Sequence, residues 1–456
     1  MDTFDVIVLG TGTAGQNAAL DLAVEGFRVA IIENSATPGG TCALRGCQAK
    51  KWFYEVAELA ARCQHLQNIG ITTPPQVDWQ QILTEKNNFT AKVPDQTRNN
   101  LKGNGVTYIR GKAVFVDKTT IAVDNQHLTA DYFIIATGAK TMALPFDGNQ
   151  YMLTSDDFLE LEALPKRIAF VGGGFISFEF AHFAARLGSS RGNIHILEAQ
   201  KSVLNPFDGD MVDQLVAASE ADGIRIHTAV SIESIEKKDT EYTIVFKSRE
   251  NLVVDKVVNG AGRVPNIDDL NLDAAGINYS RRGITVDEYM QTSNKQVYAA
   301  GDCVDSVQLA RVADMEAHVA AQAIVVAQHG GTKAAIDYRA VPAVLFTYPQ
   351  LGMLGKTEEQ LKEEKTPYWK SYDTRLTWPT YQRVGLKYAA YKILVDEQNH
   401  ILGAHFVSDN TTGLLNTFKQ AMIDRTPVTE LHKNSIMSPY PSRESDIVYM
   451  LSPLVD

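Results

Sequence analysis

The sequence predicts an α/β fold in which two units of parallel sheet and helix occur in one chain. In each unit a short apolar run is followed by a glycine-rich turn, a helical stretch, a second apolar run and a glutamate. The turns are Gly10–Gly15 and Gly172–Gly174, and the glutamates are Glu33 and Glu198. Apolar runs of this length are typical of strands buried in a parallel sheet. Two copies of one unit predict two bound nucleotides.

The first unit has each feature of a dinucleotide site. Residues 4–9 form the first strand, and the glycines at 10, 12 and 15 let the backbone approach a pyrophosphate at the start of the next helix. Glu33 follows about 20 residues later, where an acid accepts hydrogen bonds from a ribose.

The second unit departs from that pattern at one position. Ser177 stands where the third glycine or another small residue belongs. Glu198 accepts hydrogen bonds from a free 2′-hydroxyl and repels a 2′-phosphate, which favours NADH over NADPH. Arg191, in a long turn before the second strand, keeps NADPH open if it folds back towards a phosphate.

Between these units, the sequence contains a C-x4-C pair, Cys42 and Cys47. Five steps along an ideal helix rise about 7.5 Å, whereas a disulfide needs Cα atoms within roughly 4.4–6.8 Å. The pair therefore closes only if the chain is distorted, and Gly39, Gly40 and Gly46 supply that freedom. The alternatives are two unrelated thiols or half of a metal site, although no C-x-x-C pair completes one.

Together these motifs resemble the class I pyridine nucleotide–disulfide oxidoreductases. The resemblance implies two Rossmann-like domains, binding FAD first and NAD(P)H second, and a C-terminal α+β dimerisation domain. The implied boundaries are 1–148 for the FAD domain with its dithiol, 149–266 for the NAD(P) domain, 267–338 for a segment completing the FAD domain, and 339–456 for the dimerisation domain.

The resemblance also implies site residues. Cys47 is expected against the flavin, Cys42 is expected to be the exposed, attacking thiol, and Lys51 is expected to pair with Glu179. Asp302, at the end of a second FAD fingerprint, is expected to hold a ribityl hydroxyl. The implied catalytic residues are Cys42, Cys47, Lys51, Glu179 and Tyr440. The implied cofactor-binding residues are Gly10, Gly12, Gly15, Glu33, Gly40, Thr41, Ala113, Thr137, Gly138, Gly172, Gly174, Ile176, Glu198, Gly262, Asp302 and Ala310.

The C-terminal segment departs from glutathione reductase. Tyr440 stands in place of the histidine that acts on the partner's dithiol, and Ser445 in place of the following glutamate. A tyrosine, with an ordinary pKa near 10, is a poor base at pH 7. At the second FAD fingerprint, Ala310 and Arg311 replace the usual threonine and proline. Phe175 occupies the place of a tyrosine that covers the flavin in some relatives.

The net charge, the cysteine count and the lack of long apolar segments argue against several classes of protein. The net charge of −11 gives no electrostatic footprint for nucleic acid or for an anionic membrane. No signal peptide or membrane span is evident, and four cysteines in 456 residues do not make a secreted framework. We therefore expect a cytoplasmic protein. Cys63 is expected to be a core thiol and Cys303 a packing residue, neither of them catalytic, and no metal site is expected.

The resulting expectation is a homodimeric FAD enzyme that passes hydride from NADH or NADPH to the Cys42–Cys47 disulfide and on to a small, glutathione-like disulfide. One alternative keeps the cofactors and makes a metal ion, quinone or oxygen the acceptor. Another is a redox-responsive protein with little turnover.

Overall fold

The computed structural model describes residues 2–67, 69–124 and 126–455, and its chain divides into two units. The first unit runs to Trp52 and also comprises Ile82–Met142 and Arg263–Asp337. The second unit comprises Phe53–Gln81, Ala143–Gly262 and Tyr338 onward.

The strands, in chain order, are β1 (Asp2–Leu9), β2 (Val29–Glu33), β3 (Thr107–Arg110), β4 (Ala113–Phe115), β5 (Thr120–Val123), β6 (Gln126–Ile135), β7 (Ala139–Thr141), β8 (Ile168–Val171), β9 (Ile194–Leu197), β10 (Ile224–His227), β11 (Ile232–Lys238), β12 (Glu241–Phe246), β13 (Leu252–Val254), β14 (Lys256–Asn259), β15 (Arg263–Pro265), β16 (Tyr279–Ser280), β17 (Gly283–Ile284), β18 (Val297–Ala299), β19 (Ala343–Leu345), β20 (Gln350–Gly355), β21 (Trp369–Asp373), β22 (Ala390–Val395) and β23 (Ile401–Ser408).

The helices are α1 (Thr13–Val24), α2 (Gly40–Leu44), α3 (Cys47–His65), α4 (Trp79–Thr90), α5 (Val93–Gly103), α6 (Ser155–Phe158), α7 (Phe175–Leu187), α8 (Gly209–Ala221), α9 (Ala310–His329), α10 (Glu358–Glu363), α11 (Pro379–Gln382), α12 (Thr411–Asp424), α13 (Val428–Ser435) and α14 (Ile447–Val455). Within the described residues, no helix has the combined length and apolar character needed to cross a bilayer.

The first unit is built on a mixed sheet in the order β3-β2-β1-β6-β5-β4, with β18 also pairing with β6. The strands β3, β2, β1, β6 and β18 are parallel, whereas β4 and β5 run antiparallel to their neighbours. Val8 pairs with Ile31 on one side and Ile134 on the other, and all three are fully buried. Helices α1 and α9 pack together. This central burial explains why the strands read as continuous apolar runs.

The described residues of the second unit form three sheets. The parallel sheet β10-β9-β8-β14 carries the second glycine turn, and β11-β12-β13 form a separate antiparallel sheet. The C-terminal part forms the antiparallel sheet β19-β20-β23-β22-β21, on which α12 packs. The predicted α/β class with an α+β C-terminal part is confirmed.

The sequence between Trp79 and Lys102 forms two helices. Its pattern by itself predicts one continuous helix over residues 79–102, which is wrong: the structure has α4 and α5, separated at Ala91 and Lys92. Pro94 lies in the first turn of α5. Proline lacks the N–H that would continue the hydrogen-bond ladder, and its ring clashes with the preceding turn. The turn residues Asp124 and Asn125 by themselves predict a hairpin, and the antiparallel pair β5–β6 confirms it, with Asn125 outside the described residues.

The two remaining cysteines differ in burial. Cys303 is fully buried, and its Sγ donates to the carbonyls of Ile135 and Ala300 at 3.3 Å, as expected for a packing residue. Cys63 lies on α3 and is only partly buried, so the prediction of a core thiol was wrong there.

Candidate active site

The first glycine turn joins β1 to α1 and leaves no room for side chains. Gly10 has φ +106°, and a Cβ there would lie 2.4 Å from the carbonyl oxygen of Ala136. A Cβ on Gly15 would lie 1.9 Å from the Gly10 oxygen. The N–H of Gly10 donates to Ile32 at 2.8 Å, which joins the turn to β2. The backbone thus forms an open cradle at the start of α1.

Glu33 closes one side of this cradle. Its Oε2 accepts hydrogen bonds from the N–H of Thr11 at 3.0 Å and the Oγ1 of Thr11 at 2.6 Å. Its Oε1 accepts from the N–H of Ser35 at 2.7 Å. The carboxylate is therefore fixed beside the turn, where it can accept hydrogen bonds from a ribose.

Other predicted residues of the first unit lie at the carboxyl ends of its strands. Thr137 follows β6, and its Oγ1 is buried with no hydrogen-bond partner in the described structure. Asp302 follows β18; burial raises the pKa of its carboxyl, and Arg263 partly offsets the rise. Ala310 is the first residue of α9, and Gly138 has φ +66°. An unpartnered hydroxyl, a carboxylate and a helix N-terminus are groups that fit a polar dinucleotide.

Ala113 is differently placed. It lies in β4, and its side chain belongs to the core of the first unit. Only its main chain is available to a ligand.

The dithiol segment is bent between its two cysteines, as its spacing predicts. Cys42 lies on the one-turn helix α2, and Cys47 begins α3. Gly39 and Gly40 have φ +133° and +74°, which favours glycine at both positions. Gly46 does not have a positive φ, so its expected contribution of backbone freedom was wrong. It is needed for space, because a Cβ there would lie 2.9 Å from the Thr41 oxygen.

The dithiol lies directly against the first glycine turn. A Cβ on Gly40 would lie 2.3 Å from the Cα of Gly12, so the two backbones touch where α2 begins. The thiols are not bonded to each other, but a hydrogen bond with Cys47, together with burial, raises the pKa of Cys42. In the single chain Cys42 is half-buried and Cys47 is exposed. The assignment of Cys47 to the flavin and of Cys42 to the acceptor stays a prediction.

The second glycine turn repeats the first. Gly172 also has φ +106°, and its N–H donates to Leu197 at 2.8 Å, as Gly10 does to Ile32. A Cβ on Gly172 would lie 2.5 Å from the Cα of Ala261. Gly174 caps α7 as Gly12 caps α1, and Ile176 is the half-buried second residue of α7.

The serine at the third glycine position is accommodated by an exchange of small residues. In the first unit Gly15 faces Ala136, which follows β6. In the second unit Ser177 faces Gly260, the residue after β14, and a Cβ on Gly260 would lie 2.1 Å from the Ser177 Oγ. The second unit therefore has no side chain at the strand end, where the first has a methyl group, and has a hydroxymethyl group on the helix, where the first has none. Gly260 was missed by the sequence argument because no motif marks it.

Glu198 has the same surroundings as Glu33. Its Oε2 accepts from the N–H of Gly173, and its Oε1 accepts from the N–H of Gln200 at 2.7 Å. Arg191 precedes β9 and therefore lies at the opposite end of that strand from Glu198. Its Nη2 donates to the Ala221 carbonyl at 2.6 Å. The idea that Arg191 folds back towards a nucleotide phosphate was wrong.

The remaining predicted residues have these locations. Glu179 is buried on α7 and accepts a hydrogen bond from the N–H of Phe346 at 3.0 Å. Lys51 is half-buried on α3; its pairing with Glu179 stays a prediction. Phe175 is half-exposed at the start of α7, and Tyr440 is 75% exposed between α13 and α14. Gly262 has φ +120° and open space around it.

Two family models match successive parts of the chain. The family model described as pyridine nucleotide-disulphide oxidoreductase matches residues 4–317. The model of that family's dimerisation domain matches residues 341–448.

Several curated relatives are similar over most of their length. Mercuric reductase from Staphylococcus aureus is 31% identical over 422 residues, covering 89% of this chain and 75% of that protein. Dihydrolipoyl dehydrogenase from the same organism is 32% identical, covering 79% and 77%. Glutathione reductase from Schizosaccharomyces pombe is 30% identical over 466 residues, covering 98% of both.

A solved structure has the same fold. The Cu(II) complex of the HOCl-induced flavoprotein disulfide reductase RclA from Escherichia coli superposes with a TM-score of 0.87 at 25% identity, covering 100% of both chains.

Proposed function

Because this chain belongs to the pyridine nucleotide–disulphide oxidoreductase family and is an FAD-dependent oxidoreductase of that class, we propose that it reduces a small disulfide with electrons from NADH. The observation that carries this proposal is the contact of the dithiol helix α2 with the first glycine turn at Gly40 and Gly12. That contact holds Cys42 and Cys47 beside the cradle that fits a dinucleotide.

The residues fit FAD in the first cradle and a nicotinamide nucleotide in the second. We assign residues 1–148 and 267–338 to FAD binding, 149–266 to NAD(P)H and 339–456 to dimerisation. Glu33 and Asp302 would hold ribose and ribityl hydroxyls, and Thr137 would gain the partner that its hydroxyl lacks. Bound FAD supplies hydride acceptance from the nicotinamide and delivery of two electrons to the disulfide.

The two cysteines of this chain then carry out the thiol–disulfide exchange. The Cys42 thiolate attacks one sulfur of the acceptor and forms a mixed disulfide, and the first acceptor thiol leaves with a proton. The Cys47 thiolate attacks the Cys42 sulfur, releases the second acceptor thiol and restores the Cys42–Cys47 disulfide. The overall reaction consumes NADH, one proton and one disulfide, and it yields NAD⁺ and two thiols.

The preference for NADH is supported by Glu198. Its carboxylate is fixed by Gly173 and Gln200, where it favours a free 2′-hydroxyl, and Arg191 lies at the far end of β9. We also propose a homodimer, supported by the dimerisation domain match. A cytoplasmic location is supported by the few cysteines of the chain and by its catalytic dithiol.

A second candidate is the reduction of a metal ion. The relatives include mercuric reductases and a flavoprotein disulfide reductase solved as a Cu(II) complex. Tyr440, which stands in place of the histidine that serves disulfide exchange, also favours this candidate.

The test is a nucleotide-oxidation screen on the holoenzyme. NADH and NADPH are each offered with oxidised glutathione, other small disulfides, Cu(II), Hg(II), quinones and oxygen. We expect disulfide turnover, a kcat/KM for NADH at least about tenfold above that for NADPH, and a loss of about 10³-fold in Cys42→Ser. Cys63→Ser, which removes a partly buried thiol on α3 that is not part of the C-x4-C pair, is the matched control and should keep the wild-type rate. Full activity in Cys42→Ser would contradict the proposal.

A further inference from the structure

Two histidines of the second unit form a row with an arginine. His195 on β9 and His227 on β10 stack with their ring centroids 5.3 Å apart and their planes 11° from parallel. His195 Nδ1 and His227 Nε2 lie 3.1 Å apart, and Arg249 Nη2 lies 3.2 Å from His227 Nδ1. His195 is buried and His227 is half-buried. The disulfide reduction proposed for this chain uses none of these three side chains.

The contacts fix where the protons of the row lie. A guanidinium only donates, so His227 Nδ1 accepts a hydrogen bond from Arg249. A neutral imidazole carries one N–H, which in His227 must then be on Nε2 and donates to His195 Nδ1. Each histidine thus uses an unprotonated Nδ1 as an acceptor. A proton added to either Nδ1 would place two donors face to face and break that hydrogen bond.

The charged groups around the two rings also oppose a proton. Arg225 on β10 and Arg249, which follows β12, are the charged side chains of the described residues that shift the pKa of either ring. Burial, the other ring and these arginines lower the pKa of His195 to about 4, and burial and the arginines also lower the pKa of His227. The guanidinium of Arg249 is itself held over the ring of Phe246, 5.0 Å from its centroid. At neutral pH both histidines are therefore uncharged.

The row ends next to Glu198. Strands β9 and β10 are parallel neighbours, and the N–H of Glu198 donates to the carbonyl of His227 at 2.8 Å. Two further main-chain hydrogen bonds, from Ala229 to Gln200 at 2.7 Å and from Val230 to Glu198 at 3.0 Å, hold together the residues that follow the two strands. Ala229 has φ +52°, a conformation that alanine seldom adopts unless neighbouring contacts impose it. The position of Glu198 thus depends on where β10 ends.

We propose that the row Arg249–His227–His195 is a proton-sensitive support for Glu198. With both rings neutral, the row fixes the end of β10 and with it the carboxylate that receives the ribose of the nicotinamide nucleotide. A histidine released from the row has its ordinary pKa near 6.5, so the loosened segment binds protons that the intact row excludes. Between about pH 6.5 and 4, a falling pH therefore favours the loosened segment and weakens nucleotide binding. This role rests on the proposed function, in which Glu198 holds that ribose, and it adds a response to pH.

The experiment measures binding of the adenosine half of the nucleotide without turnover. ADP-ribose is titrated into the FAD-loaded protein by calorimetry at pH 7.5 and at pH 5.5. We expect the dissociation constant of the wild type to rise by about fivefold or more at the lower pH. In the double variant His195→Asn, His227→Gln, amide groups replace the two ring nitrogens that face each other, and they take up no proton. Its dissociation constant should change by less than about twofold.

The matched control is His127→Gln, which removes an exposed histidine on β6 of the first unit. It should keep the wild-type response to pH. His227→Gln alone changes a half-buried side chain and should also reduce the response, and it takes the place of the double variant if that protein does not bind FAD. The proposal is overturned if wild-type binding is equally tight at both pH values, or if the variants of the row respond to pH as the wild type does.

A second ligand separates this role from the proposed use of NADH. Tighter binding of 2′-phospho-ADP-ribose than of ADP-ribose would contradict the preference for NADH. The comparison of the wild type with the double variant, repeated with that ligand, would still decide whether the row supports the nucleotide site.

Discussion

At the residue scale, the exchange between Ser177 and Gly260 shows how a glycine motif tolerates a departure. The first unit pairs glycine on the helix with alanine at the strand end, and the second pairs serine with glycine. What must be kept is the space between α7 and β14, not the glycine itself. The glycine motif marks only the helix side of this contact, at Ser177. The residue on the strand side, Gly260, lies 83 residues further along the sequence.

This complementarity predicts a strong coupling between the two positions. Gly260→Ala alone places a Cβ 2.1 Å from the Ser177 Oγ and should lower the free energy of unfolding by about 1–3 kcal/mol. Ser177→Gly removes that clash, so the double variant, which reproduces the Gly15/Ala136 arrangement, should recover at least about 1 kcal/mol. Urea unfolding of the four proteins gives the coupling energy. Additive effects of the two substitutions would contradict this account.

At the element scale, one buried lysine ties together three elements of the second unit. Lys392 on β22 is fully buried, and its Nζ pairs with Asp208 before α8 at 2.8 Å, Asp210 in α8 at 2.6 Å and Glu358 in α10 at 2.9 Å. Burial alone would raise the pKa of Glu358, but hydrogen bonds from Lys392 and neighbouring side chains hold it well below its usual range. The network fixes where α8 and α10 meet the C-terminal sheet.

Lys392→Met should therefore destabilise the protein by about 3–5 kcal/mol, because Asp208 stays buried without its cation and Glu358 loses one of the three lysines that bond it. Lys362→Met is the control: Lys362 bonds the same Glu358 carboxylate at 3.0 Å but is 62% exposed, so its loss should cost less than about 1 kcal/mol. Urea unfolding of both variants measures this difference, and equal losses in the free energy of unfolding would contradict the prediction.

The pH dependence follows from the sign of the Glu358 shift. A carboxyl whose pKa is lowered by folding contributes stability that is present above its unfolded value, near 4.3, and is lost as the pH falls. Lys392→Met raises the folded pKa of Glu358, so its acid unfolding should begin at a higher pH than in the wild type.

At the scale of the whole molecule, the match to the family's dimerisation domain predicts that two chains build each complete site. The resemblance implies that residues near the end of one chain act on the dithiol of its partner. Tyr440 is 75% exposed in the single chain, which leaves its hydroxyl open to a partner subunit. We therefore treat Tyr440 as a hydrogen-bond donor to the partner's dithiol.

A mixed dimer tests this arrangement. Tyr440→Ala should lower kcat by about tenfold through loss of a hydrogen bond to a charged group, and Cys42→Ser should be inactive. A dimer that combines one chain of each variant has one intact site, so it should regain about half of the wild-type rate. Turnover of tag-purified mixed dimers is the measurement. Recovery no greater than the average of the two parent dimers would show that each site uses its own chain's tyrosine, or none.

The sequence by itself determined the family, the two glycine turns, their glutamates and the break within the dithiol, because backbone freedom and local spacing govern these features. Only the tertiary structure decided what depends on contacts between distant segments. It matched Ser177 to Gly260 and placed Arg191 at the far end of β9. A strand separates the residues at its two ends, and packing brings together residues that are far apart in the sequence. A local sequence pattern reveals neither effect.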